Sequence, residues 1–213
     1  MAENNIVYIK QTGERSIPVT VRIKWLPDGT IKPIKYWTPD GSMYKIKHIS
    51  ETVMLVFLKN RGEGIRFRVR SQLIESSDPF SEIIHSQYET YLFLEDNFFC
   101  GKNFIDERYH HGCKEYIPVI LDIFPDGDYE VIYFTVHENR YMVEKTIKKE
   151  PRGSYNAGGV GICHKVEARH VNPDNDEDFS YLSERRMAAL YLEINKWFVY
   201  IKNSSTGIIQ KLV

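Results

Sequence analysis

The sequence predicts a mainly β protein: two tandem copies of a small SH3-like barrel or sandwich, each with an insertion containing a short helix. Three observations lead there. Aromatic residues reach 13%, with 14 Tyr and 11 Phe, residue types that suit a half-buried pleated surface. Apolar and polar residues alternate over short runs, as Val21, Ile23 and Trp25 do against Arg22 and Lys24, which is the period of a strand with one face in the core. A set of blocks also recurs in constant order about one hundred residues further on, the signature of an internal repeat.

The blocks follow the chain. Ile17-Pro18-Val19 returns as Ile117-Pro118-Val119, each opening a strand that carries Ile23 or Ile123. Each strand ends in Pro27-Asp28-Gly29 or Pro125-Asp126-Gly127. There the proline presets φ and the glycine accepts positive φ, so the tripeptide is a turn and not a catalytic motif. Met43-Tyr44-Lys45-Ile46 faces Arg140-Tyr141-Met142-Val143. Gly62-Glu63-Gly64-Ile65 faces Gly159-Val160-Gly161-Ile162, and both lead into a strand. No helix follows these glycines, so they mark a bulge or bend and not a dinucleotide cradle. Insertions come next. Ser77-Asp78-Pro79-Phe80 caps a short helix predicted to run to about Ser86, whereas the second copy has an acidic loop, Asp174 to Asp178, followed by helical character over Ser180 to Leu190. Tyr91-Leu92 and Phe98 match Tyr191-Leu192 and Phe198 near each copy's end. The expected organisation is a first repeat over 1–105, a linker over 106–115 containing Tyr109, His110, His111 and Gly112, a second repeat over 116–203, and a C-terminal tail or added strand over 204–213.

The pattern resembles a group of small, uncharacterised bacterial β-barrel proteins. The shared features are a Pro-Asp-Gly-like turn, a strand Tyr, a Gly-Gly-x-Gly-Ile strand entry and a terminal Tyr-Leu-Phe…Trp-Phe-Val. In the second copy they are Tyr141, Gly158-Gly159-Val160-Gly161-Ile162 and Trp197-Phe198-Val199; in the first, Gly62-Glu63-Gly64-Ile65 and Tyr91-Leu92-Phe93-Leu94. The resemblance covers most of both repeats and implies the fold, with no activity attached. Its departures here are the long inserts and Arg61, which stands where the first Gly of the pair belongs.

The chain has 213 residues and a formal charge of −1, so no global cationic excess recruits nucleic acid and any such partner needs a local patch. The N-terminus lacks the apolar run of an export signal, and the longest apolar run, Val53 to Leu58, is far too short for a membrane-spanning helix. Three cysteines, Cys100, Cys113 and Cys163, cannot all pair within the chain, which predicts a reducing cytoplasm.

The local patch exists. Between Arg22 and Arg70 stand eleven basic residues against four acidic ones. Because strand side chains alternate, Arg22 shares a face with Lys24, Lys45 with Lys47, and Arg66 with Arg68 and Arg70, while Ile65, Phe67 and Val69 point to the core. Those seven cations are the candidate nucleic-acid-binding residues, with Tyr36, Trp37 and Phe57 available for stacking. The second copy has diverged in charge: Asp122 stands for Arg22, Cys163 for Arg66 and Glu167 for Arg70.

The expected function is therefore non-enzymatic binding of an anionic partner, nucleic acid first, by the first repeat. The alternative is a protein-interaction or inhibitor module docking through Phe80, Asp174, Asp176, Glu177 and Asp178. A third reading is a metal-dependent phosphate-ester hydrolase built on Asp122, Asp126 and Asp128, although the last two are what a Pro-Asp-Gly-Asp turn contains anyway. Cys100, His110, His111, Cys113, Cys163 and His164 are zinc-type ligands without finger spacing, so neither a metal nor a cofactor is expected. No nucleophile with a matching base is visible, and no catalytic residue is assigned.

Overall fold

The computed structural model describes residues 7–10, 17–53, 64–76, 87–95, 113–154, 159–171, 185–193 and 196–201. Among them every regular element is a strand. In chain order these are β1 (Val7–Lys10), β2 (Ile17–Pro18), β3 (Thr20–Trp25), β4 (Ile31–Trp37), β5 (Met43–Val53), β6 (Gly64–Glu75) and β7 (Gln87–Glu95). They continue as β8 (Cys113–Tyr116), β9 (Val119–Ile123), β10 (Tyr129–Val136), β11 (Asn139–Ser154), β12 (Gly159–Val171), β13 (Arg186–Glu193) and β14 (Lys196–Ile201). The strands form one open antiparallel sheet in the order β2-β1-β7-β6-β5-β4-β3-β9-β10-β11-β12-β13-β14-β8, which agrees with the mainly β class the sequence predicts. No helix of the described residues is long and apolar enough to cross a membrane.

Two compact units divide the chain. The first holds Met1–Ile23, Lys32–Cys100 and Asp122–Tyr129; the second holds Lys24–Ile31, Gly101–Leu121 and Glu130–Val213.

The alternating core rows are where the sequence puts them. Val21, Ile23 and Trp25 on β3 are at most 1% exposed, as are Val119, Leu121 and Ile123 on β9. On β6, Ile65, Phe67 and Val69 are buried, whereas Arg66 and Arg68 are half-buried and Arg70 is exposed. The two predicted turns also match each other: Gly29 and Gly127 take φ of 89° and 87°, each glycine N–H donates to Leu26 or Phe124, and Asp28 and Asp126 each accept a backbone N–H two residues on. A third turn of the same kind, Pro39-Asp40-Gly41, closes β4 onto β5, with Gly41 at φ 89° and Asp40 accepting from Thr38 and Ser42. The corresponding hairpin between β10 and β11 has no glycine. His137 and Glu138 both take positive φ there, 46° and 67°, the primed geometry that a two-residue hairpin requires.

Three sequence expectations need correction or relocation. Arg186–Leu190 belongs to β13 and not to a helix: pairing along β12, from Ala168↔Arg186 to Ile162↔Leu192, overrides the helical propensity of Met187, Ala188, Ala189 and Leu190. The match of Tyr91 with Tyr191 is displaced by two residues, since β6 pairs Arg68 with Tyr91 whereas β12 pairs Lys165 with Ala189. A slip of two preserves which face each side chain takes, so alternation alone does not reveal it. The end of the expected linker, from Cys113, is strand β8. The first insert's helix, the acidic loop, residues 106–112 and the tail lie outside the described residues.

Ladder position beside β7 and β13 is filled differently in the two units. β1, which precedes β7 in the chain, pairs with it through Val7↔Leu94 to Lys10↔Tyr91. β14, which follows β13, pairs with it through Tyr191↔Phe198 to Glu193↔Lys196.

Candidate nucleic-acid interface

The outer face of the first unit is set by β5, β6 and β7. Antiparallel register places three rows side by side: Val53, Arg66 and Phe93; Glu51, Arg68 and Tyr91; His48, Arg70 and Glu89. The next row toward β4 joins Lys35, Lys45 and Gln72. Two breaks interrupt β5, because the ladder skips one residue between Ile46 and His48 and another between Ile49 and Glu51. Each skipped residue, Lys47 and Ser50, is a bulge that leaves the regular pleat and re-aims its side chain.

Three of the seven sequence-predicted cations are committed to carboxylates. Arg22 makes a forked ion pair within the first unit, Nε to Asp122 Oδ1 at 2.6 Å and a terminal nitrogen to Oδ2 at 2.5 Å, with both side chains less than a quarter exposed. The same Asp122 oxygens that a metal-dependent hydrolase would need are thereby occupied by a guanidinium. Arg66 lies 3.4 Å from Glu51 and Arg68 lies 2.8 Å from Glu89. These carboxylates were not legible as partners, since Asp122 is 100 residues from Arg22 and Glu89 stands on another strand.

The other four stay open. Lys45, Lys47 and Arg70 are exposed, and so is His48 directly opposite Arg70. Among the described residues none of these four makes an ion pair. Lys24 is exposed too, but it belongs to the second unit. Lys45 also faces Lys35 across the ladder, and like charges in directly opposite positions weaken a sheet unless an anion screens them. Aromatic rings border this group on both sides. Arg22 and Lys35 lie 5.3 and 4.8 Å from the Trp37 ring centroid, and Arg66 and Arg68 lie 5.4 and 6.0 Å from that of Tyr91. Tyr36, expected to stack with a ligand, is instead buried; its hydroxyl is 3.0 Å from Ser71 Oγ, and burial pushes its phenol up to about 12, the Ser71 bond opposing.

β11 in the second unit breaks at the same ladder positions, skipping between Val143 and Lys145 and between Thr146 and Lys148. The residue at the first break is Glu144, and it closes an ion network with Arg169 at 2.9 Å and Arg185 at 2.8 Å, Arg185 also reaching Glu167 at 3.6 Å. Further along β11, Glu150 pairs with Lys148, whose hydrogen bond holds the carboxyl below the usual carboxylate range, and with Lys165 at 3.9 Å.

Among the described residues no cluster of three or more His, Cys, Asp or Glu is arranged to hold a metal ion. Cys100, His110 and His111 lie outside the described residues, as do Phe57, Phe80, Asp174, Asp176, Glu177 and Asp178. Cys163 and His164 are buried neighbours on β12. Asp126 and Asp128 spend a carboxylate oxygen on the backbone N–H of Asp128 and Tyr129, which is a turn's use of them. No family model, no curated protein and no solved structure matches the chain.

Proposed function

We propose that the chain is a non-enzymatic binding protein whose first unit offers the exposed cations of the β5 bulge, Lys45, Lys47 and His48 with Arg70 beside them, to the phosphates of a nucleic acid. The observation that carries this reading is the contrast between the two bulges. Where the second unit neutralises its break through Glu144, Arg169 and Arg185, the first places Lys47 at the same ladder position beside further unpaired cations. At the bulge itself the second unit sets a carboxylate between two arginines, whereas Lys145 beside it stays exposed as His48 does; the contrast is therefore in the residue at the break, Lys47 against Glu144. Arg22, Arg66 and Arg68 then serve chiefly to hold Trp37 and Tyr91 in place.

The matched turns, bulges and aromatic stacks support a tandem duplication of one small β module of SH3-like kind. Tyr36 on Tyr44 at 4.9 Å and Phe134 on Tyr141 at 5.1 Å occupy equivalent ladder positions. The odd cysteine count favours a reducing compartment, the cytoplasm.

Binding of a mixed-sequence oligonucleotide, measured across a salt series, tests the reading. If phosphates neutralise Lys45, Lys47 and Arg70, each contributes about 0.7 to 0.9 to the slope of log K against log salt, and the triple glutamine variant loses that slope and most of its affinity. Absence of binding to both DNA and RNA at low salt ends the nucleic-acid reading. The lead then passes to a protein-interaction module acting through Phe80 and the loop from Asp174 to Asp178.

A further inference from the structure

Resting on the nucleic-acid reading, we infer that the partner is a single strand, laid diagonally across β4 to β7 from Trp37 to Tyr91, with bases stacked at both ends and phosphates held between. Register fixes the track. Trp37 lies two residues to one side of the row Lys35, Lys45, Gln72 and Gln87, and Tyr91 lies four residues to the other side of it. At about 3.3 Å per residue and 4.8 Å per strand, the diagonal is about 25 Å. Lys45, Lys47, His48 and Arg70 all lie between the two rings along that line.

Both ends have the form of a stacking platform. Each ring carries two cations within about 6 Å, and a guanidinium or indole plane extends a base stack regardless of sequence. The two ends are also held: Arg22 is forked onto Asp122 beside Trp37, and Arg68 is tied to Glu89 beside Tyr91. A flexible lysine stem completes the arrangement. When a base takes the Trp37 ring, Lys35 can swing its ammonium toward the phosphate that Lys45 faces. A duplex meets the cations but keeps its bases inside its own stack, so it gains nothing from the aromatic ends. A 25 Å track takes about four to seven nucleotides, depending on how far the strand is extended.

The test is fluorescence polarisation of the full chain with labelled oligo-dT and oligo-U of two to ten nucleotides, and with duplexes of matched length, at low salt. Single strands should bind at least tenfold tighter than duplexes, with affinity rising to about four to seven nucleotides and then levelling. Trp37→Ala and Tyr91→Ala should each weaken single-strand binding by roughly tenfold while leaving the salt slope unchanged, since a stacked base adds affinity and releases no counterion. Trp37→Phe, which keeps a ring and guards against loss of fold, should stay within about threefold. Equal affinity for duplex and single strand, or unchanged binding in both alanine variants, overturns the single-strand track while leaving phosphate binding standing. No binding of either form removes both.

Discussion

β5 and β11 share two breaks in their ladders, yet among the described residues one break displays Lys47 alone and the other pairs Glu144 with Arg169 and Arg185. Backbone geometry and side-chain chemistry have thus separated. A bulge fixes where an extra residue leaves the pleat and says nothing about its charge, so two ladders with matching bulges can differ in chemistry. The cores diverge in the same compensated way. Tyr36 and Ser71 share a buried hydrogen bond in the first unit; the ladder gives their places to Phe134 and Ala168 in the second, so both hydroxyls are lost together and neither is stranded.

The comparison can be broken most forcefully at Phe67, 1% exposed on β6, whose ladder position His164 takes in β12. Phe67→Ala should cost ~3–5 kcal/mol in urea unfolding, the range for emptying a large buried ring. A cost below about 1 kcal/mol would mean that this row is not core.

An alkaline titration comes next. Burial raises the Tyr36 phenol from 10.0 to about 12, so the fold favours the neutral form; that stability is complete below pH 10 and is lost as pH rises from 10 toward 12, about 2–3 kcal/mol in all. Tyr36→Phe, which copies Phe134, should flatten the fall measured by chemical denaturation at successive pH values. Tyr129, also pushed up by burial with Asp128 adding to the shift, leaves a residual slope in both proteins. An equally steep fall in the variant sinks the assignment to Tyr36.

Introducing one hydroxyl without its partner sharpens the core comparison. Ala168→Ser alone should destabilise by ~1–2 kcal/mol, because the buried hydroxyl lacks the phenol that Ser71 has in Tyr36 and keeps at best the long bond to a backbone carbonyl that Ser71 makes to Tyr88, and adding Phe134→Tyr should recover much of the loss. Additive costs in that double-mutant cycle would show that the two hydroxyls do not meet.

The smallest effect belongs to the bulge itself. Glu144→Lys gives the second unit the first unit's charge and takes the carboxylate from Arg169 and Arg185, at a cost of about 1 kcal/mol that shrinks in high salt. Thermal melting at low and high salt reads it; a loss insensitive to salt would point to packing and not charge.

Much of this was legible in the residues. Alternation named the buried row Ile65, Phe67 and Val69, and Pro-Asp-Gly named two turns correctly; the third, Pro39-Asp40-Gly41, carried the same signal. The bulges were not legible, because a break in a ladder depends on two strands and neither Lys47 nor Glu144 is a residue type that marks one. Nor were the carboxylates that engage Arg22, Arg66 and Arg68, since each arrives from another strand. The helical character expected over Ser180 to Leu190 failed at Arg186–Leu190 for the same reason: local preference favoured it, and the partner strand decided otherwise.

The place beside β7 is taken by a strand that comes earlier in the chain, and the place beside β13 by one that comes later. Main-chain hydrogen bonding therefore recognises an incoming strand by its edge and direction, with no memory of covalent order. A gene rearranged so that the segment encoding Val7–Lys10 follows β7 would ask the ladder beside β7 for nothing that the ladder beside β13 does not already do.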